Sequence, residues 1–174
     1  MSGLVPLASS LTFLGECDEI RFGGTQYAKT ILKNLWGLPP ALEMNYEKRV
    51  QAAAREIAAS GAAESAHDLS DGGLAVALAE CSFGPAGIGA EIDLDSDLRP
   101  ELLLFHEGPS RALISTAEPD RILEIAAKNS VDAIRIGSTV AGRLAIGNRG
   151  KVLIDATLGT LKEGWEHTLE THVR

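Results

Sequence analysis

Ten consecutive residues, Ser65-Ala66-His67-Asp68-Leu69-Ser70-Asp71-Gly72-Gly73-Leu74, gather an imidazole, two carboxylates, two hydroxyls and a glycine pair. The run Ala75-Val76-Ala77-Leu78-Ala79-Glu80 follows and reads as the first turns of a buried helix. A polar loop with paired glycines that opens onto a helix suits phosphate, or a metal carried by phosphate. Glycine lets the backbone approach closely, and the helix start offers unpaired N–H donors and partial positive charge. The carboxylates fit that picture when a cation stands between them and the phosphate. Asp68 and Asp71 could converge on one divalent ion, while Ser70 and the amides after Gly72-Gly73 donate to phosphate oxygens. The plainer alternative is an ordinary capped helix, with Ser70 or Asp71 as N-cap and His67 a packed or hydrogen-bonded side chain.

A second constellation is Phe105-His106-Glu107-Gly108-Pro109-Ser110-Arg111, placed just before an apolar run. Arg111 suits bidentate grip on phosphate or carboxylate, and Ser110 adds a donor. Read blandly, Glu107 and Arg111 form a surface pair across the Gly108-Pro109 turn. A third is Arg21-Phe22-Gly23-Gly24-Thr25-Gln26-Tyr27, either a second anion-binding helix start or a turn capped by Thr25. Asp93, Asp95 and Asp97 lack the glycine and downstream spacing of a calcium loop, and that reading is rejected. His167 and His172 fall in a C-terminal helix and tail, with solvated or packed roles.

These residues need a scaffold, and the composition allows one. The 174 residues suffice for one domain, with 45% apolar and 23% charged residues. A net charge of -8 excludes general nucleic-acid binding, which needs a basic face. Cys17 and Cys81 are far apart, and Cys81 reads as a buried thiol. No apolar stretch approaches the ~20 residues that span a membrane, and no basic n-region precedes a signal-like core, so the expected location is cytoplasmic.

Leu11 to Gly15 reads as a strand and Thr25 to Trp36 as a helix stopped by Gly37, before an extended Pro39-Pro40 connector. Asn45 is the expected N-cap of a helix over 46–60, ended by Gly61. The helix after Gly73 runs to about Phe83, and Gly87 to Leu94 alternates as a strand. Leu102 to Phe105 fits a short helix or a strand. Strands over 110–116, 133–140, 143–147 and 152–154 follow, with an amphipathic helix over 118–129 and a last helix from Thr157 to about Thr171. This irregular interleaving predicts an α+β domain with a mixed sheet and packed helices.

In order along the chain, Gly23-Gly24-Thr25-Gln26-Tyr27, Pro39-Pro40, the run 65–80 and the run 105–111 resemble the C-terminal part of the synthetase subunit of phosphoribosylformylglycinamidine synthases. The resemblance extends from about Leu11 to the last helix. It implies an AIR-synthase C-terminal-domain-like sandwich over 11–174, behind an N-terminal extension or linker at 1–10. It also implies an ATP-dependent carbon–nitrogen ligase of purine biosynthesis. That enzyme turns formylglycinamide ribonucleotide, ATP and glutamine-derived ammonia into formylglycinamidine ribonucleotide, ADP and phosphate. The implied cofactors are ATP or ADP and Mg2+, and the implied partners are the remaining synthetase domains, a glutaminase subunit and a small accessory subunit.

By the same resemblance, His67, Asp68, Ser70, Asp71, Gly72 and Gly73 match a loop facing the cleft with a neighbouring domain. Glu107, Ser110 and Arg111 match the position where the catalytic copy of this domain type contacts the ribonucleotide. This chain resembles the second copy, whose cleft is associated with a structural nucleotide. The nine residues are therefore expected to support bound ADP and a domain interface, with Asp68 and Asp71 as metal ligands and no catalytic residue on this chain. An isolated domain is expected to be inactive, to expose an apolar patch near the helix after Gly72, and to self-associate. A stand-alone nucleotide-binding or dimerising module of the same superfamily is the alternative. Selenophosphate synthetases, thiamine-phosphate kinases and hydrogenase-maturation proteins fit the Ser65-Ala66-His67-Asp68 run less well.

Overall fold

The computed structural model describes residues 8–16 and 20–172, with side chains as far as residue 167. Cys17 lies outside the described residues. In chain order the elements are β1 (Ser10–Leu14), α1 (Gln26–Thr30), α2 (Met44–Ser60), β2 (Ser65–Asp68), α3 (Gly73–Ser82), β3 (Ile88–Leu94) and α4 (Pro100–Phe105). They continue with β4 (Ala112–Thr116), α5 (Pro119–Lys128), β5 (Ala133–Ala141), β6 (Arg143–Asn148), β7 (Lys151–Thr157) and α6 (Leu158–His172). Among the described residues all strands join one seven-stranded sheet of order β2-β4-β1-β5-β3-β6-β7. Among these strands β3 and β6 run parallel and the other described neighbours antiparallel. This is the mixed α+β sheet expected from the irregular order of elements. Ala8 already donates to the Thr139 carbonyl (3.1 Å), so the sheet takes in the last residues of the 1–10 extension.

Strand alternation gives each face its own core. On one face Leu11, Leu113, Ile92, Ile136, Leu144 and Ile146 pack with Leu74, Leu78 and Leu104 from α3 and α4. On the other, Leu14 and Ile114 meet Val50, Ala53 and Ile57 of α2 and Ile122, Ile125 and Ala126 of α5. The α2 trio sits at i, i+3 and i+7, so one stripe is buried and the rest of the helix stays wet. Each buried isoleucine contributes roughly 1.5–3 kcal/mol.

Several local expectations are corrected. Helix α1 stops at Thr30 and does not reach Trp36. Asn34 N–H turns back to the Ala28 carbonyl and Trp36 N–H to the Gly23 carbonyl (both 3.1 Å), and Lys33 takes φ 54°. Ile31, Leu32 and Leu35 therefore have no helical face to share, and all are exposed. The cap of α2 is Glu43 and not Asn45: its carboxylate accepts from Asn45 N–H and Tyr46 N–H. Ser65–Asp68, read as loop, is an edge strand paired with β4, and the ambiguous Leu102–Phe105 run is helical behind Pro100. No described helix is long and apolar enough to cross a membrane. Cys81 is buried, and its thiol is pushed up to about 12, first by burial and then by Glu80 and Asp68.

Candidate functional site

The site begins where β2 ends. Leu69 is buried and its N–H donates to the Arg111 carbonyl (3.0 Å), which pins the polar run to the sheet edge. Ser70 and Asp71 then project outward and are exposed, as is Asp68. Gly72 and Gly73 both adopt left-handed backbone, φ 79° and 65°. A Cβ on Gly73 would lie 2.6 Å from the His106 carbonyl oxygen, so the pair is demanded by conformation and by close approach. The N-cap of α3 is Gly72, with no side-chain cap, which removes Ser70 and Asp71 from the capping role.

Glu107 supplies what a capping side chain would have done. One carboxylate oxygen accepts from Gly72 N–H at 2.7 Å and from Gln26 N–H at 2.8 Å. It thereby joins the start of α3 to the start of α1, both approached through a glycine pair. Gln26 also reaches Asp71 through its amide (3.4 Å), and Tyr27 stacks on Phe105 with centroids 5.0 Å apart. Thr25 is the α1 cap, its hydroxyl oxygen accepting from Ala28 N–H at 3.1 Å. Gly72 N–H is thus engaged by an internal anion and Gly73 N–H by the Ser70 carbonyl (3.1 Å), so the amides expected to face phosphate begin after the pair, at Leu74.

Arg111 is not half of a surface pair with Glu107, because it is 5% exposed. Its guanidinium donates to the Gly108 carbonyl (2.8 Å), the His106 carbonyl (2.9 Å) and His106 Nε2 (2.7 Å). A guanidinium only donates, so Nε2 accepts and Nδ1 holds the proton. That Nδ1 is buried without a hydrogen-bond partner. Burial, followed by the Arg111 charge, depresses His106 to about 4 and keeps it neutral. Arg111 also lies 5.9 Å from the Phe13 ring centre, in an open cavity of about 620 Å³ lined by Phe13, Leu74, His106, Arg111 and Ile136 among others.

Ser110 takes φ 61°, and its hydroxyl donates to the Glu47 carboxylate at 2.6 Å, tying the turn to α2. His67 Nδ1 lies 2.6 Å from the Asp68 carbonyl, which can only accept, and Nε2 faces Glu80 at 3.7 Å. Of the expected site residues, Gly72, Gly73 and Glu107 therefore meet in one junction. Asp68, Ser70 and Asp71 are exposed beside it, while Ser110 and Arg111 hold the turn behind it. Among the described residues no group of three or more His, Cys, Asp or Glu is placed to hold a metal ion. Sequence reasoning passed over His106 and Gln26 as functional positions. His106 adjoins Glu107, and Gln26 is the first residue after a threonine cap, where a free N–H is expected.

Residues 10–147 match the family described as AIR synthase related protein, C-terminal domain. The chain belongs to that family. Over 91% of its length this AIR synthase related domain is 42% identical to the phosphoribosylformylglycinamidine synthase subunit PurL of Moorella thermoacetica, and 36% identical over 89% to that of a Thermoanaerobacter strain. It spans about a fifth of those relatives, 22% and 21% of their lengths. The fold recurs in T. maritima PurL complexed with FGAR, with TM-score 0.78 and 22% identity, over 92% of this chain and 29% of the other.

Proposed function

We propose that this AIR synthase related domain is part of a phosphoribosylformylglycinamidine synthase, a ligase that forms a carbon–nitrogen bond at the expense of ATP during purine biosynthesis. The observation that carries the reading is the 42% identity to the Moorella PurL subunit across 91% of the chain. In the proposed enzyme, phosphorylation activates the amide oxygen of formylglycinamide ribonucleotide, and ammonia released from glutamine on another subunit displaces phosphate. A glutaminase subunit, a small accessory subunit and the remaining synthetase domains would complete it.

This chain's own part is to present the exposed Asp68, Ser70 and Asp71 beside the Gly72-Gly73 turn at the rim of a nucleotide cleft. His67, Glu107, Ser110 and Arg111 fix that rim in shape. Asp68 and Asp71 are exposed hard oxygen donors that would suit Mg2+ only with nucleotide phosphates and water completing its shell, since the described residues hold no group of three or more such ligands. Magnesium there would neutralise phosphate charge next to the acidic rim. No residue of this chain is assigned a catalytic step, so the chain alone is expected to make no product.

Calorimetric titration of Mg·ADP into the wild type and Asp71→Ala tests the reading, together with an assay for product from formylglycinamide ribonucleotide, ATP and ammonium. The expected result is nucleotide binding weakened at least fivefold by Asp71→Ala and no turnover. Equal binding by both proteins would remove Asp71 from the site. Turnover by the chain alone would overturn its assignment as a non-catalytic domain.

A further inference from the structure

The large apolar side chains left bare by the fold are concentrated in one segment. Ile31, Leu32, Leu35, Trp36, Leu38, Leu42 and Met44 are between 47% and 67% exposed, and Leu38 is the most exposed of them. An apolar groove does lie beside α3, as expected, lined by Ala75, Val76, Ala79, Phe83, Phe105 and Trp165 among others, but most of the exposed large apolar side chains fall in the other segment. Every residue from 29 to 45 is exposed except the half-buried Pro40. The segment is nevertheless fastened to the body of the domain. Trp36 N–H bonds to the Gly23 carbonyl and Asn34 N–H to the Ala28 carbonyl, while Arg21 donates to the Pro39 carbonyl, all at 3.1 Å. It is a held apolar strip and not a loose loop.

Seven large apolar side chains, each about half exposed or more within fourteen residues, form a cluster unlike the singly scattered apolar side chains of an ordinary monomer surface. Its charges are as informative as its exposure. Between Ile31 and Met44 the only ionised side chains are Lys33 and Glu43, and Leu38 stands midway between them. Two such strips laid antiparallel put Leu38 against Leu38 on a twofold axis. Each Lys33 then faces the other copy's Glu43, an exposed carboxylate that also caps α2. A chain carrying a net charge of -8 repels its own copies over most of its surface, and this strip is a neutral place where they can meet.

We propose that the 31–44 strip is a twofold dimer interface occupied by a second copy of this chain, centred on Leu38 and closed at its ends by Lys33–Glu43 pairs. An isologous contact of this kind closes on itself and stops at two copies. Trp36 supplies the large anchor side chain, and the Pro39-Pro40 pair lowers the entropy lost on docking.

Sedimentation equilibrium of the full chain from about 1 to 100 µM tests the proposal, with a dimer of Kd about 1–10 µM expected. Leu38→Asp places two carboxylates on the axis and should leave a monomer throughout that range. Lys33→Glu should weaken association on the order of tenfold, since two end pairs become repulsive. Lys33→Glu combined with Glu43→Gln, which keeps an oxygen for the α2 cap while removing the like charge, should return it to within about threefold of wild type. Circular dichroism confirms that each variant is folded; Leu38 and Lys33 are exposed, so their variants are expected to keep the fold. In a Trp165→Phe background, Trp36 emission should shift to the blue as the dimer forms. A wild type that stays monomeric to about 100 µM would overturn the proposal, as would a dimer indifferent to Leu38→Asp. A folded double variant that fails to recover would rule out the antiparallel pairing.

Discussion

Replacing Glu107 tests whether one carboxylate holds the site together. In Glu107→Ala the amides of Gly72 and Gln26 lose the acceptor that stands 2.7 and 2.8 Å away. Both are partly buried, and each unsatisfied amide costs about 1–3 kcal/mol, so a loss of about 3 kcal/mol is expected for the pair. Glu107→Gln keeps an oxygen in place but surrenders the charge that shortens and strengthens such bonds, for a loss of about 1 kcal/mol. With unfolding entropy near 2.1 cal/mol/K per residue, 174 residues give about 0.4 kcal/mol/K. The Ala variant should therefore melt about 8 °C below wild type and the Gln variant about 3 °C below. Urea unfolding gives the free energies, and hydrogen exchange reads the Gly72 and Gln26 amides directly. Both amides should lose protection in Glu107→Ala while those of α5 do not. Equal stability of all three proteins, or unchanged exchange at both amides, would refute the clamp.

Gly73→Ala should cost more than about 3 kcal/mol, because a left-handed alanine would also press its Cβ to 2.6 Å from the His106 oxygen, whereas Gly24→Ala meets nothing within 4 Å and serves as the near-neutral control in the same urea series. His106 stays neutral in the fold to about pH 4 but takes a proton near 6.5 when unfolded. Its contribution is therefore fully present above pH 6.5 and falls by about 1.4 kcal/mol per pH unit from there towards pH 4. A wild type whose loss of stability between pH 6.5 and pH 4 equals that of His106→Gln would contradict that sign. In a Cys17→Ser background, Cys81 should resist a thiol-specific disulfide reagent at pH 8 until urea unfolds the chain, since its thiol is raised to about 12. Immediate labelling of native protein would contradict the burial.

What could be read in the residues divides along a physical line. Patterns that report one element against one core were legible: Ile122, Ile125 and Ala126 announced the inner face of α5, and Gly61 announced the end of α2 in a left-handed residue. Outcomes settled by distant partners were not. The Ile31, Leu32 and Leu35 spacing is helical on paper, but a helix face needs something to pack against, and the chain turns back to Gly23 instead. Ser65–Asp68 is polar enough to pass for loop because it lies at the sheet edge, with β4 as its single strand neighbour. The glycine loop and the Glu107–Arg111 turn were both visible as candidates. That one caps the other is a contact between positions 35 residues apart, which no local pattern encodes.

The place of β1 in the sheet has a consequence for synthesis. Its neighbours are β4 and β5, so Ser10 pairs with Thr116 on one side and Ser138 on the other. A ribosome adding roughly 5–20 residues per second leaves Leu11 and Leu14 without their strand partners for on the order of 5–20 s after they emerge. This interior strand is thus the first made, and of all the strands described it waits longest between its own synthesis and that of its second partner. A newborn chain of this domain has reason to rely on a holding chaperone until β5 arrives.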